Sequence, residues 1–211
     1  MPTEICLIRH AAYERFDERR SADGRWDPPL SEEGAAQAEA LAGRLAAFGW
    51  DHLLSSPLLR ARGTAEKIAT ACGLTAEQRL SWAEFFKGTL EGISPPDAVS
   101  DTHDDHWRNG AWRAWPGGET RVAFRARVLD ALRACPQGAR TLVVTHGGVI
   151  NEVLCALLDS PPRTVFRIDL TGVTRVGRKG DHASVACVND TWHLEDSLSM
   201  PLTVLASKGK V

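Results

Sequence analysis

Leu142-Val143-Val144-Thr145-His146-Gly147-Gly148 is an apolar strand that runs into a histidine and two glycines. Far upstream, Ile5-Cys6-Leu7-Ile8-Arg9-His10 ends in the same manner. Continuous apolar runs of this length fit strands covered on both faces, as in parallel sheets. Ligands of open α/β sheets bind outside the carboxyl ends of such strands. Arg9-His10 places a fixed cation beside an imidazole, a pair suited to an anionic phosphoryl group attacked by a nitrogen nucleophile.

Outward from these strings, strands and helices alternate. Ser31 reads as a helix N-cap, with Glu32 and Glu33 in the first turn. Ala38, Leu41, Leu45 and Phe48 follow at helical spacing, and Gly49 stands where a C-terminal cap belongs. A short strand is expected at 51–55. Ser56-Pro57 then reads as a capped helix start, with Leu58, Ala61, Ala65, Ile68 and Cys72 on one stripe and Gly73 as the stop. Arg60 lies off that stripe in the first turn, where an anion would also feel the helix dipole. Residues 119–135 are expected to be helical, with Val122, Ala126, Leu129 and Leu132 on one face. A strand at 141–145 and a helix from 147 to about 158 follow. Residues 164–169, 172–178 and 183–188 read as further strands or a hairpin, with Gly180-Asp181 in the turn. The alternation predicts a three-layer α/β domain on a largely parallel sheet, one domain over residues 1–211.

Residues 85–118 break the rhythm. Glycine and proline recur there, with Trp107, Trp112 and Trp115 among them. A segment so long in a compact domain is usually functional or disordered, and three tryptophans argue against disorder. A loop-rich lid anchored by the tryptophans is expected. The tail after Glu195 carries no clear pattern, and no repeat or low-complexity tract occurs.

The chain has 211 residues and a formal net charge of -2, which argues against general binding to nucleic acid or anionic membranes. Its five cysteines are scattered and form no CxxC pair, as expected of reduced core residues in a cytoplasmic protein. Strand-like sequence carrying Glu4 and Arg9 begins near the first residue, so no leader is expected. No apolar run approaches the roughly 18 residues of a membrane span.

His10, Arg60, Glu84 and His146 all fall at or near strand-to-helix transitions, and Arg9 joins them through His10. This set can run phosphoryl transfer without a metal or cofactor. Neutral His10 would attack phosphorus in line, its second ring nitrogen donating a hydrogen bond that fixes the tautomer. Arg9 and Arg60 would hold the equatorial oxygens. His146, as imidazolium, would add a donor, helped by the amides of Gly147 and Gly148. Protonated Glu84 would give its proton to the leaving oxygen and later take one from water. Glu91 is a second candidate for that acid. His103-Asp104-Asp105-His106 invites a metal reading, but no third ligand cluster stands nearby and a polar lid turn is favoured. Arg62 and Lys67 read as solvated helix charges. His52, His182 and His193 have no evident partner in the sequence.

With these residues in hand, the sequence resembles the histidine phosphatase superfamily, the phosphoglycerate mutase-like proteins. The matching pieces are Leu7-Ile8-Arg9-His10, Pro29-Leu30-Ser31-Glu32-Glu33-Gly34 with Gln37-Ala38, and Ser55-Ser56-Pro57-Leu58-Leu59-Arg60-Ala61 with Thr64-Ala65. Glu84 with Gly88, Glu91-Gly92, Gly117-Gly118-Glu119, Val143-Val144-Thr145-His146-Gly147-Gly148 and Asn189-Asp190-Thr191-Trp192-His193-Leu194 follow in family order. The resemblance implies an α/β/α sandwich on a mixed sheet with one antiparallel strand. It implies a phosphohistidine on His10, a phosphate pocket of Arg9, Arg60 and His146, and Glu84 as proton donor. The expected substrate contacts are Arg9, Arg60, His146, Gly147 and Tyr13. Ala11, Tyr13 and Phe16 replace the small and polar residues usual after the nucleophile, and Lys87 stands where the mutases carry a tyrosine. These departures favour a metal-independent phosphomonoesterase acting on a small phosphorylated substrate. A phosphoglycerate mutase and a catalytically silent phospholigand-binding regulator are the alternatives.

Overall fold

The computed structural model describes residues 3–88, 116–161, 165–180 and 182–194. In chain order the elements are β1 (Thr3–Arg9), α1 (Glu32–Leu45), β2 (His52–Ser55), α2 (Leu59–Cys72) and β3 (Ala76–Gln78). A 3-10 turn at Leu80–Trp82 follows, then α3 (Arg121–Arg133), β4 (Arg140–Thr145), α4 (Gly147–Leu157), β5 (Val173–Lys179) and β6 (His182–Asp190). They build a six-stranded sheet in the order β3-β2-β4-β1-β5-β6. β1, β2, β3 and β4 run parallel, whereas β5 pairs antiparallel with both β1 and β6. One strand therefore opposes the rest, in the expected mixed sheet.

The alternation of β1 divides the core. Ile5 and Leu7 face one side with Leu54, Val143, Phe124, Val128 and the apolar residues of α4. Cys6 and Ile8 face the other, with Leu53, Leu142, Leu41 and Ile68 of α1 and α2. Ile5, Leu7 and Ile8 are fully buried, and each such side chain stabilises the fold by about 1.5–3 kcal/mol. Helices thus cover both faces of the sheet, the α/β/α layering expected from the sequence. β1 and β4 lie side by side in register, Arg9 opposite Thr145, so His10 and His146 emerge from adjacent strands at one edge.

Several expectations are corrected. α1 starts as expected, with Ser31 Oγ accepting from the Gly34 amide at 3.1 Å. It stops at Leu45 rather than running to Gly49, because Trp50 Nε1 takes the Leu45 carbonyl at 2.9 Å. Phe48 is left half exposed. α2 ends at Gly73 in the left-handed region, φ 67°, as expected. Its start is not capped by Ser56: Asp27 Oδ1 accepts from the Leu59 amide at 2.6 Å, and Ser56 turns inward. The buried face of α3 is Phe124, Val128, Ala131 and Leu132, while Val122 is 82% exposed. Phe124 docks edge-on against Phe85 at 5.3 Å and rotates the helix to suit. The described part of 164–169 is not a strand. Asn151 of α4 binds it instead, accepting from the Val165 and Phe166 amides and donating to the Phe166 carbonyl at 3.0 Å. β5 and β6 do form the expected hairpin.

The two ends of the predicted lid meet. The Glu119 amide donates to the Phe86 carbonyl at 2.9 Å. Gly88, at φ 57°, lies so close to Gly118 N and Pro116 O that a Cβ would come within 2.4 Å of each. Glu91, the 103–106 cluster and the three tryptophans of the lid lie outside the described residues, as does the tail after residue 195. Among the described residues no helix is long and apolar enough to cross a membrane. No disulfide joins the five cysteines; burial pushes the thiol of Cys6 up to about 12 and that of Cys135 up to about 11.

Candidate active site

Four of the five residues expected to act together, Arg9, His10, His146 and Arg60, meet where β1, β4 and the start of α2 converge. His10 follows β1, and its amide extends the sheet by donating to the Thr145 carbonyl at 2.9 Å. Its ring is 4% exposed and its Nδ1 lies 2.8 Å from the Ala11 carbonyl. A carbonyl only accepts, so Nδ1 carries the hydrogen and Nε2 keeps a lone pair. Arg60 Nε donates to that lone pair at 3.3 Å. Burial, then Arg60 and Arg9, hold the His10 pKa well below the usual histidine range, so the ring is neutral near neutral pH. The tautomer-fixing bond required of the second ring nitrogen is present.

Main-chain carbonyls aim both arginines. Arg60 is buried at 6% exposure, donates Nη1 to the Trp26 carbonyl at 3.1 Å, and lies against the rings of Tyr13 and Trp26. Arg9 donates Nη1 to the Ile168 carbonyl at 2.5 Å, while its Nε is buried without a hydrogen-bond partner among the described residues. Gly147 lies against Arg9, where an added Cβ would be 3.7 Å from Nε.

His146 is fully buried at the N-cap of α4, its ring centroid 5.0 Å from that of His10. Its Nε2 is 2.8 Å from Ser56 Oγ, and its Nδ1 has no partner among the described residues. Burial and the nearby Arg60, His10 and Arg9 push its pKa well below the usual range. That direction runs against the expected imidazolium: two guanidinium groups beside a buried ring disfavour a third cation.

The fifth residue, Glu84, follows the turn at Leu80–Trp82 and reaches the first turn of α4. Its Oε1 accepts from the Phe85 amide at 2.9 Å and its Oε2 from the Gly148 amide at 3.1 Å. The Gly148 amide is thus already engaged, a correction to its expected role as a phosphate donor. Tyr13 is half buried, edge-on to His10 and to Trp26 at 5.4 Å each. Phe16 is 98% exposed and does not join the group. Ala11 is buried, its amide held by Thr64 Oγ1 at 3.0 Å. Lys67 pairs with Glu39 on the surface, as expected of a solvated helix charge.

Sequence reasoning missed the residues that brace this constellation. Arg25 is buried, binds Asp23 through Nε, and donates Nη1 to the Glu84 carbonyl at 2.6 Å. His193, given no partner from sequence, has Nε2 2.8 Å from Thr171 Oγ1, and the Thr171 amide donates to the Arg9 carbonyl at 3.0 Å. Asn189, in the left-handed region at φ 56°, accepts from the Asp169 amide at 2.7 Å and steadies the loop that carries Ile168. Only the Asn-Asp dipeptide at 189–190 could have hinted at such a turn. Among the described residues no group of three or more histidine, cysteine or acidic side chains could hold a metal ion.

Residues 5–191 match the family model of the histidine phosphatase superfamily, branch 1. A relative from Yersinia pestis (strain Pestoides F), called a probable phosphoglycerate mutase GpmB, is 34% identical over 175 residues, 79% of this chain and 80% of its own. The YhfR structure from Bacillus stearothermophilus superposes with a TM-score of 0.81 at 28% identity, covering 91% of this chain and 99% of that one. A putative alpha-ribazole-5'-P phosphatase from Escherichia coli str. K-12 substr. MG1655 gives a TM-score of 0.75 at 26% identity, over 90% of this chain and 98% of that one. With its two strand-end histidines, Arg9 and the buried Arg60 at one sheet edge, the chain belongs to the histidine phosphatase superfamily (branch 1) and is a phosphoric monoester hydrolase.

Proposed function

We propose that the protein hydrolyses small phosphomonoesters, without a metal ion, through a phosphohistidine on His10. The observation that carries this reading is the His10 ring. Its Nδ1 hydrogen is given to the Ala11 carbonyl, and its Nε2 lone pair faces the Arg60 guanidinium. Arg60, which donates to that nitrogen, would turn its guanidinium to the oxygens of a phosphoryl group once Nε2 bonds to phosphorus. In the first step Nε2 attacks phosphorus and the bond to the ester oxygen breaks. Glu84 gives that oxygen a proton while Arg9 and Arg60 take up the charge on the equatorial oxygens. In the second step Glu84 removes a proton from water, the water oxygen bonds to phosphorus, and the N–P bond breaks to release inorganic phosphate. Gly147, packed on Arg9, lets the chain approach the phosphoryl group closely, and Tyr13 contacts the substrate at the mouth.

A small substrate agrees with the structural relatives. One, from Entamoeba histolytica, is a phosphoserine phosphatase in complex with phosphoserine, and one mycobacterial glucosyl-3-phosphoglycerate phosphatase is in complex with inorganic phosphate. A cytoplasmic location fits five cysteines that form no disulfide. Phosphoglycerate mutase activity is the second reading, on the name of the Yersinia relative; products formed from phosphoglycerates separate the two.

The test is an acid–base quench. Wild-type protein stopped during turnover of a labelled phosphomonoester should carry acid-labile, base-stable phosphate, and His10→Ala should carry none and turn over nothing. Turnover by folded His10→Ala at the wild-type rate would remove His10 as nucleophile.

A further inference from the structure

Ser56 sits at the end of β2, a strand that supplies none of the four converging groups, yet its side chain is spent on one of them. It is fully buried. Its amide donates to the Val144 carbonyl at 2.9 Å, fixing it to β4 one strand away from its own. Its Oγ accepts a hydrogen from the Leu58 amide at 3.3 Å and lies 2.8 Å from His146 Nε2. Of these two neighbours only the imidazole nitrogen can accept. A buried hydroxyl hydrogen goes to an acceptor where one is in reach, so the Ser56 O–H points at Nε2.

That assignment fixes the rest of the ring. Nε2 then bears no hydrogen, and a neutral imidazole carries its single hydrogen on Nδ1. The opposite tautomer would leave the Ser56 hydrogen without an acceptor and the Nδ1 lone pair buried without a donor. The assigned one leaves a single group unsatisfied, the Nδ1–H, in a buried ring whose centroid is 5.0 Å from that of the nucleophile. A buried donor with no acceptor among the described residues is what a pocket for a phosphoryl oxygen requires.

We propose that Ser56 is a positioning residue: its hydroxyl locks His146 as the Nδ1–H tautomer, so that an uncharged His146 donates that hydrogen to a phosphoryl oxygen held at His10. The proposal rests on the phosphatase reading for its purpose and on the hydrogen bonds alone for its geometry. The two active-site histidines then share one tautomer with opposite uses. His10 gives its Nδ1 hydrogen to Ala11 and works through the Nε2 lone pair. His146 receives a hydrogen at Nε2 and works through Nδ1–H.

Nitrogen-15 NMR of imidazole-labelled protein at about pH 7.5 tests the geometry without any substrate, the His146 signals being assigned by their loss in His146→Gln. The expected spectrum has a protonated, pyrrole-like Nδ1 and an unprotonated, pyridine-like Nε2. Hydrogen on Nε2, or on both nitrogens, overturns the proposal. In Ser56→Ala the tautomer should become mixed, and the single-turnover rate on nitrophenyl phosphate should fall with the fraction of rings that keep hydrogen on Nδ1, about two-fold for an even mixture. An unchanged tautomer or an unchanged rate in folded Ser56→Ala also overturns it. Should that variant not fold, the wild-type spectrum decides alone. Wild-type protein inert toward every phosphomonoester would instead defeat the phosphatase reading and leave the tautomer standing.

Discussion

Gly148→Ala is expected to damage acid catalysis while sparing the fold. A Cβ at this position would lie 2.3 Å from Glu84 Oε1, 3.0 Å from Cδ and 3.1 Å from Oε2. Ordinary contact begins at 3.4 Å, so Oε1 must retreat by 3.4 − 2.3 = 1.1 Å. The obstacle is the end of a flexible side chain, so α4 itself need not move. Within a helix, alanine in place of glycine is also favourable by up to about 1 kcal/mol. Thermal melts should therefore match or slightly exceed wild type. A group displaced by about 1 Å loses on the order of 100-fold in rate, but only where its proton is needed. An alkoxide leaving group needs one as its bond to phosphorus breaks; a nitrophenolate hardly does. Single-turnover measurement should show glycerol phosphate slowed on the order of 100-fold and nitrophenyl phosphate only a few-fold. Glu84→Gln should show the same bias, with a loss on glycerol phosphate of about 100- to 10,000-fold. If both substrates slow equally in both variants, Glu84 is not the leaving-group acid. If folded Gly148→Ala cleaves glycerol phosphate at the wild-type rate, the contact between Gly148 and the Glu84 carboxylate is not where catalysis depends on it.

Arg60→Ala should lower turnover on the order of 100- to 1000-fold, since its guanidinium meets His10 Nε2 directly; near-normal turnover would make it a packing residue of the Tyr13 and Trp26 pair. Activity should survive prolonged EDTA treatment, because the proposed charge on the phosphoryl group is met by Arg9 and Arg60; loss restored by one divalent ion would reopen the His103/His106 segment. Stability should fall on acidification through the histidine range. Unfolded histidines take up protons near pH 6.5, whereas buried His10 and His146 stay neutral until well below it, so their contribution is full above that pH and is lost beneath it. Each can contribute up to about 1.4 kcal/mol per pH unit. Urea midpoints at about pH 7.5 and 5.5 should differ accordingly, and by less in His10→Ala; equal slopes in the two proteins would mean His10 titrates normally in the fold.

The sheet and the two histidines were legible because their signals are local. An apolar run that stops at a polar residue places that residue at a strand end, and β1 and β4 need nothing further. The errors share one cause, a local pattern overruled by a distant partner. Ser56 before Pro57 has the form of a helix cap, but its hydroxyl faces His146, 90 residues on, and the Leu59 amide is capped by Asp27, 32 residues before it. The packed face of α3 is not the one its apolar residues define by spacing alone. Arg121 and Arg125 both pair with Glu152, a carboxylate fully buried in α4, and Arg127 binds Glu119 and the carbonyls of Ser81 and Ala83. On that helix the arginines report the packed side as much as Phe124 does.

The charge state of His146 escaped the sequence for a related reason. A phosphoryl group by itself calls for one more cation, whereas the pocket sets its own electrostatics. Carbonyls of Ile168 and Trp26 orient Arg9 and Arg60. A carbonyl fixes a guanidinium in place and brings no net charge of its own. The field of both cations is therefore felt by the two imidazoles, in a site where burial already opposes ionisation. The same arrangement that attracts a phosphoryl group keeps His10 unprotonated, which a nucleophile requires, and keeps His146 neutral, which makes its tautomer matter. A neutral ring has one hydrogen to give, and Ser56 decides from which nitrogen it is given.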